Sequence, residues 1–216
     1  KTMVLRDVNV AIERGKTVGI IGESGCGKST LARVFAGLLP PSDGGLKLDG
    51  ESIAPDLRDR SREELRKVQF VYQMADTALN PRQRIKDIIG RPLEFYGGLT
   101  GAAKNNRLLE LLEMVELPPP FAERYPHELS GGQKQRVNLA RALAADPEVV
   151  LCDEVTSALD TIVGANVIEL LKTLRRDTGV SFVFISHDLS TVASFADEIV
   201  VLYAGRVAEQ LSLIHI

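Results

Sequence analysis

Short apolar runs bounded by glycine, proline or charged residues alternate along the chain with longer segments of helical periodicity. Unbroken apolar runs are typical of strands that are buried on both faces of a parallel sheet. The segment 3–12 instead alternates apolar and polar positions, as a half-buried strand does. Together these patterns predict strands over 3–12, 17–21, 46–48, 68–72, 149–152, 180–185 and 199–203.

Helical periodicity is clearest in the segment 161–176, where apolar side chains recur on one face. That face carries Val163, Val167, Leu170, Leu171 and Leu174. The other predicted helices are 29–38, 85–96, 104–115 and 133–145. Strands that alternate with helices indicate an α/β fold with a parallel sheet covered on both faces.

One long segment, 74–146, breaks this alternation because it has helical patterns and no strand-like run. We therefore expect three parts: a first part of the α/β core over 1–73, an inserted helical subdomain over 74–146, and a second part of the core over 147–210.

The composition excludes several classes of protein. The chain has 216 residues, 44% of them hydrophobic and 25% charged, which is typical of a globular protein. The net charge is −3, whereas a dedicated nucleic-acid-binding protein usually has a basic excess. No stretch approaches the ~18 apolar residues of a membrane span, and no secretory leader is visible. The two cysteines have no disulfide or metal-ligand spacing, which fits a reducing compartment.

A phosphate-binding loop is predicted between the strand 17–21 and the helix 29–38. The segment reads Gly22-Glu23-Ser24-Gly25-Cys26-Gly27-Lys28-Ser29-Thr30 and fits G-x-x-x-x-G-K-[ST]. Glycines let backbone N–H groups point at phosphate oxygens, and the helix N-terminus adds a favourable dipole. Lys28 can reach the β- and γ-phosphates and Ser29 can ligate Mg²⁺. A chance match in a chain of this size has odds of about one in a hundred.

Two acids, Asp153 and Glu154, end the predicted strand 149–152. Side chains at the carboxyl end of a parallel strand point into the crevice where ligands bind in open α/β sheets. Asp153 suits a Mg²⁺ ligand, and Glu154 suits a group that orients or deprotonates water. Taken alone, such a pair is more often two solvated acids at a strand end, but the phosphate loop reverses this preference and favours the functional interpretation.

The predicted helix 133–145 is introduced by the segment Leu129-Ser130-Gly131-Gly132-Gln133. Ser130 and Gln133 form a capping box, but two glycines in a first turn cost ~1 kcal/mol each relative to alanine. A cap alone does not need them, whereas a second anion-binding helix N-terminus does.

These motifs occur together with Gln73 at a strand end, Ser157-Ala158-Leu159-Asp160 and His187. In this order they resemble the ATP-binding-cassette (ABC) ATPases over essentially the whole chain. The resemblance implies a P-loop NTPase (RecA-like) core with an inserted helical subdomain. It also implies ATP and Mg²⁺ as cofactors, ATP hydrolysis, and a dimer in which each ATP lies between the phosphate loop of one chain and the LSGGQ segment of the other.

Site roles follow from the resemblance, residue by residue. Gln73 would contact Mg²⁺ or water and sense a membrane partner, Asp160 would communicate across the dimer, and His187 would contact the γ-phosphate. Without the family, these three residues could be a solvated strand end, a helix N-cap and part of a loop. One departure is Val155, where the family commonly has proline.

Softer features point to a subfamily. Tyr72-Gln73 with Leu79-Asn80-Pro81-Arg82, and 124–129 before LSGGQ, resemble importers of the oligopeptide, dipeptide and nickel group. The partners would then be a second ABC ATPase subunit and separate transmembrane permease chains, and no nucleic acid would bind. The chain would be peripheral to the membrane, at the cytoplasmic face of a bacterial inner membrane. The alternatives are a phosphonate-pathway cassette, a soluble ABC ATPase of DNA repair or translation, and a non-hydrolysing regulatory cassette. The transported solute and the choice of homodimer or heterodimer stay open.

Both ends of the chain depart from the family pattern. No aromatic residue precedes the phosphate loop to stack on adenine, and 211–216 looks like translated adapter sequence. We therefore expect a chain that is truncated at both ends and carries a non-native tail over 211–216.

Overall fold

The structure, a computed structural model, describes residues 3–213, and in that part of the chain a six-stranded sheet forms the centre. In chain order the strands are β1 (Thr17–Ile21), β2 (Leu46–Leu48), β3 (Glu51–Ile53), β4 (Val68–Val71), β5 (Val149–Asp153), β6 (Ser181–Ile185), β7 (Glu198–Tyr203) and β8 (Arg206–Ser212). The sheet has the order β4–β5–β6–β1–β7–β8, and β2 pairs with β3 as a separate hairpin.

Helices cover both faces of this sheet. They are α1 (Lys28–Phe35), α2 (Arg62–Lys67), α3 (Ala75–Ala78), α4 (Ile85–Phe95), α5 (Gly101–Met114), α6 (Gly131–Leu143), α7 (Thr161–Thr178) and α8 (Leu189–Phe195). Short 3₁₀ helices span Leu57–Asp59, Pro119–Glu123 and Pro126–Glu128. None of the helices within 3–213 combines the length and the apolar character that spanning a membrane requires.

Alternate residues of β6 belong to different cores, which explains its unbroken apolar sequence. Phe182 and Phe184 pack in the core that includes α7 and the helices of the insert. Val183 and Ile185 pack on the opposite face, with β1 and α1. All four are fully buried, and each such side chain contributes about 1.5–3 kcal/mol of hydrophobic stabilisation. The prediction of an α/β sheet covered on both faces is confirmed.

The helices α3 to α6 lie between β4 and β5 in the chain, although β4 and β5 are parallel neighbours in the sheet. Ile85 and Ile89 of α4 pack with Leu111 of α5 and Leu139 of α6 in a fully buried cluster. The inserted helices therefore share a core of their own that continues into the sheet. The boundaries proposed for the three parts of the chain stay a prediction.

The prediction of a strand over 3–12 is wrong. This segment forms no strand, and Asp7 has a φ of 51°, which interrupts an extended backbone. Its alternation still reports burial, because Val8, Val10 and Ile12 are half-buried against the core beside α1. Periodicity detected a side that faces the core but could not show whether a neighbouring strand is available for pairing.

Other predicted elements differ at their ends. The helix predicted over 29–38 stops at Phe35, because Gly37 adopts a left-handed φ of 74°. The sheet is also not wholly parallel, since β8 runs antiparallel to β7. Leu211 pairs with Ile199 in this strand, and residues 214–216 lie outside the described residues. The origin of the segment 211–216 is not tested by this pairing and stays a prediction.

Candidate active site

The carboxyl ends of β1, β4, β5 and β6 lie at one edge of the sheet, because these strands are parallel neighbours. Each strand runs into a segment that the sequence singled out. These segments begin at Gly22 after β1, at Tyr72-Gln73 after β4, at Asp153-Glu154 at the end of β5, and at Ser186-His187 after β6. Such an edge is where ligands bind in open α/β sheets.

The loop over 22–30 depends on glycine at two tightly packed positions. Gly22 has a φ of 152°, and a Cβ there would lie 2.1 Å from the backbone oxygen of Leu202. Gly27 has a φ of 111° and forms the N-cap of α1, where a Cβ would lie 2.7 Å from Leu5 Cδ2. At Gly22 the added Cβ would clash with backbone, and at Gly27 the φ is one that residues with a side chain rarely adopt, so glycine at both positions lets the loop curl back over the N-terminus of α1.

Lys28 is buried, and its ammonium lies inside the loop rather than in solvent. Its Nζ donates hydrogen bonds to the backbone oxygens of Gly22 at 2.7 Å and Glu23 at 3.0 Å. Of the other residues in this loop, Cys26 is buried, Ser29 and Thr30 are half-buried, and Glu23, Ser24 and Gly25 are exposed. A buried cation held by backbone carbonyls places a positive charge where the helix N-terminus also favours an anion.

Ser29 and Asp153 meet across the edge of the sheet. The Ser29 hydroxyl donates a hydrogen bond to Asp153 Oδ1 at 3.1 Å. Burial raises the pKa of the Asp153 carboxyl above its ordinary value, and the charge of Glu154 adds to the rise, although the hydrogen bond from Ser29 opposes it. The charges of Arg33 and Lys28 also lower this pKa but do not cancel the effect of burial, so a further cation would stabilise the charged carboxylate.

This pair of oxygen donors fits Mg²⁺. The ion prefers oxygen ligands and usually takes one or two protein oxygens, with substrate phosphates and waters completing its shell. A hydroxyl and a carboxylate beside a phosphate-type loop meet that requirement. Within 3–213 no cluster of three or more His, Cys, Asp or Glu residues is arranged for a metal, so an all-protein cage is not what the described residues offer.

Glu154 is joined to Gln73 at the edge where the parallel neighbours β4 and β5 both end. Gln73 Nε2 donates a hydrogen bond to Glu154 Oε2 at 3.0 Å. Glu154 itself has a left-handed φ of 49°, which is uncommon for a residue with a side chain, and its N–H donates to the oxygen of Ile185 at 3.0 Å. Glu154 is therefore held at the edge of the sheet by its carboxylate on the β4 side and by its backbone on the β6 side.

His187 completes this group of side chains. Its Nδ1 lies 3.7 Å from Glu154 Oε1, and 65% of its side chain is exposed to solvent. The next residue, Asp188, caps α8 by accepting a hydrogen bond from the N–H of Ser190 at 3.0 Å. The turn that begins α8 thus holds the imidazole beside Glu154 at the open side of the site.

The LSGGQ segment lies elsewhere on the chain's surface. The capping box is confirmed, with Ser130 N–H donating to Gln133 Oε1 at 3.0 Å and Gln133 N–H donating to Ser130 Oγ at 3.4 Å. Among the described residues, no hydrogen bond or ion pair joins 129–133 to 22–30. Ser130 and Gly131 are exposed, so this helix N-terminus is open to a partner.

The structure gives Gly132 a packing reason that the sequence could not show. A Cβ on Gly132 would lie 2.5 Å from Val163 Cγ1 on α7, whereas one on Gly131 would make an ordinary contact with Leu159 Cδ2 at 3.4 Å. Asp160 caps α7 by accepting a hydrogen bond from the N–H of Val163 at 3.0 Å, which is the plainer of its two interpretations. Any role of Asp160 toward a second chain stays a prediction.

Sequence reasoning gave Ser157 no role of its own. The structure places its hydroxyl between Gln73 and Glu154, with Gln73 Nε2 donating to Ser157 Oγ at 3.0 Å. The only available signal was the position of Ser157, which lies close in sequence to an acid at a strand end.

Comparison with curated proteins finds close relatives. The chain is 46% identical over 203 residues to a protein of Brucella abortus (strain 2308) named as a peptide import ATP-binding protein, covering 94% of this chain and 61% of the relative. It is 42% identical over 206 residues to the dipeptide transport ATP-binding protein DppF of Haemophilus influenzae, covering 95% of this chain and 63% of the relative. The chain thus spans about six-tenths of the length of the curated relatives that it matches.

Solved structures share the fold. A dimeric ATP-binding cassette bound to ADP and Pi superposes with a TM-score of 0.83 at 35% identity, covering 99% of this chain and 92% of that one. A cassette from Clostridium perfringens, part of an ABC transporter complex, superposes with a TM-score of 0.85 at 28% identity, covering 97% of this chain and 82% of that one. The predicted P-loop NTPase core with inserted helices is therefore confirmed. The sequence model of the ABC transporter family matches residues 5–157, and the chain belongs to that family.

Proposed function

We propose that this chain is the ATP-binding and ATP-hydrolysing part of a subunit that powers a membrane ABC importer of peptides. One observation carries the proposal: a buried lysine in a glycine loop, a hydroxyl–carboxylate pair and a second carboxylate held by an amide converge at one edge of the sheet. The peptide assignment rests on the printed names of the relatives.

The loop over 22–30 binds the phosphates of ATP in this proposal. Its backbone N–H groups and the dipole of α1 favour the anionic phosphates, and Lys28 adds a full positive charge from inside the loop. Ser29 and Asp153 would hold Mg²⁺, and Gln73 would contact the ion or a water bound to it. When bound, the ion neutralises charge on the phosphate oxygens during transfer.

Glu154 acts on the attacking water. The water oxygen forms a bond to the γ-phosphorus, the bond from that phosphorus to the β–γ bridging oxygen breaks, and ADP leaves with that oxygen. Glu154 accepts the proton that the water loses, and Gln73 keeps the carboxylate oriented through its hydrogen bond. His187, which lies 3.7 Å from Glu154, contacts the γ-phosphate in this proposal.

A second cassette supplies the LSGGQ residues. Ser130 to Gln133 would bind ATP held by the other chain, and Asp160 would lie at the contact between the two. The exposed N-terminus of α6 and the dimeric state of a relative at 35% identity support this arrangement. The permease would be formed by other chains, which would hold the subunit at the cytoplasmic face of a bacterial inner membrane.

The test compares Glu154→Gln and Lys28→Ala with the unmodified chain. Glu154→Gln keeps the size of the side chain and removes the base, so MgATP binding should persist while phosphate release falls ~10²-fold or more. Lys28→Ala should weaken nucleotide binding itself, as measured by titration with a fluorescent ATP analogue. Glu169→Gln is a matched control, because Glu169 is an exposed acid on α7 that pairs with Lys172.

Turnover of Glu154→Gln that stays within about a factor of two of the unmodified chain would contradict the assignment.

A separate experiment tests the peptide assignment. The full-length protein is expressed with its permease in cells that lack a peptide importer. Growth on a peptide as the source of a required amino acid should depend on Glu154, and growth that is independent of Glu154 would rule out this import role.

A further inference from the structure

Three residues at the site form a closed ring of hydrogen bonds. Gln73 Nε2 donates to Glu154 Oε2 at 3.0 Å and to Ser157 Oγ at 3.0 Å. The Ser157 hydroxyl in turn donates to the backbone oxygen of Glu154 at 2.9 Å. The ring joins the segment after β4 to the segment after β5, so it fixes the position of one relative to the other.

Each hydrogen in this ring is used once. The Gln73 amide nitrogen has two hydrogens, and each has its own acceptor. The Ser157 hydroxyl has one hydrogen, which goes to Glu154, and its lone pairs accept from Gln73. If the Gln73 amide were turned over, its oxygen would face both the carboxylate and a hydroxyl already committed elsewhere. The ring therefore selects one orientation of the amide.

Ser157 has no packing role that would explain this position. It is exposed, as is Gln73, and it belongs to neither buried core. Its other contact is its N–H, which donates to the oxygen of Glu154 at 3.1 Å. Both hydrogen-bond donors of Ser157, its N–H and its hydroxyl, thus bind the backbone oxygen of Glu154, the residue whose φ is 49°.

We propose that Ser157 is a positioning residue, whose hydroxyl holds the Gln73 amide against the Glu154 carboxylate and secures the left-handed turn at Glu154. The proposal rests on the proposed ATP hydrolysis and assigns Ser157 a part in it. Ser157 acts through Gln73 and Glu154 and does not itself touch the reacting atoms.

The test uses Ser157→Ala, which removes the hydroxyl, and Ser157→Thr, which keeps it. The kcat of Ser157→Ala should fall about threefold to tenfold, the worth of one ordinary hydrogen bond. Its KM for MgATP should change by less than about twofold, because the phosphate loop is untouched. Ser157→Thr should restore most of the lost kcat. In a Gln73→Ala background, Ser157→Ala should have little further effect, because the partner through which it acts is gone.

A second readout does not depend on hydrolysis. The side-chain amide signals of Gln73, identified by their loss in Gln73→Ala, are followed by NMR in the nucleotide-free protein. Ser157→Ala should shift both signals, and Ser157→Thr should shift them much less. If Ser157→Ala shifts these signals but the unmodified chain has no ATPase activity, the proposed function is wrong and the hydrogen-bonded ring is still supported. Unshifted signals, or an equal fall in kcat with and without Gln73, would overturn the role of Ser157.

Discussion

Replacing Gly132 by alanine separates two reasons for a glycine at this position. Gly132 is helical, and its missing Cβ is what lets the first turn of α6 approach Val163 on α7. If contact with phosphate were the only reason for the glycine, alanine would stabilise the helix by up to ~1 kcal/mol in the absence of nucleotide. If packing is a reason as well, alanine will strain the contact between the two helices.

The structure favours the second outcome, in which alanine at position 132 strains the contact between α6 and α7. An added Cβ would lie 2.5 Å from Val163 Cγ1, and valine in a helix has little freedom to turn its side chain away. Overpacking of this kind costs ~1–3 kcal/mol, and the gain in helix propensity offsets at most ~1 kcal/mol of it. We expect a net loss of about 1 kcal/mol, which in a chain of this size lowers the unfolding temperature by about 2–4 °C.

Thermal unfolding without nucleotide measures the effect, with Gly131→Ala as the matched control. A Cβ on Gly131 would meet only Leu159 Cδ2 at 3.4 Å, so that variant should be neutral or stabilised. The cost of Gly132→Ala should largely disappear when it is made in a Val163→Ala background, because the clashing methyl group is gone. The difference between the cost of Gly132→Ala in the two backgrounds should be about 1 kcal/mol. An unfolding temperature of Gly132→Ala at or above that of the unmodified protein would refute the packing argument.

Two further predictions concern the thiols and a helix cap. Cys26 and Cys152 are both buried and free, but burial raises the pKa of the Cys152 thiol strongly and Cys152 has no exposed surface. Iodoacetamide should therefore modify Cys26 first, and more slowly with MgATP present; mass spectrometry that finds Cys152 modified first would contradict this. Hydrogen bonds from Thr191 and Ser190 hold the pKa of Asp188 below its ordinary value. Asp188 therefore stabilises the folded protein fully above its pKa in the unfolded chain, and this stabilisation is lost as the pH falls through its pKa in the folded protein. Asp188→Ala should cost ~1 kcal/mol in denaturant unfolding at neutral pH and less in acid, and a loss that grows in acid would contradict the cap.

The sequence indicated which residues gather at the candidate site because the patterns that single them out are local, and the roles of those residues stay predictions. A glycine loop between a strand and a helix, and acids at the end of a buried strand, are recognisable without any knowledge of distant contacts. Parallel strands then bring their carboxyl ends together, so Gln73 and Glu154 could be expected to lie close to each other.

What the sequence could not predict depends on distant neighbours. The packing of Gly132 against Val163 requires the relative position of two helices, and the ring at Ser157 requires the path of two loops. The segment 3–12 shows the same limit, since its alternation is real but the segment forms no strand. β8 was missed because its strand is mostly exposed and carries no regular apolar pattern.

The placement of the inserted helices also bears on how the chain folds. Pairing β4 with β5 requires closing a long loop, and the entropic cost of closure rises with the length of flexible chain between the two strands. Helices α4 to α6 make many contacts among themselves, and contacts between segments close in sequence form faster than pairings between distant strands. A helical unit that collapses first shortens the flexible chain left to close. Because the insert folds, the entropy lost when β4 and β5 meet is smaller than it would be for a flexible segment of the same length. The edge of the sheet that carries Gln73 and Glu154 is completed only after that closure.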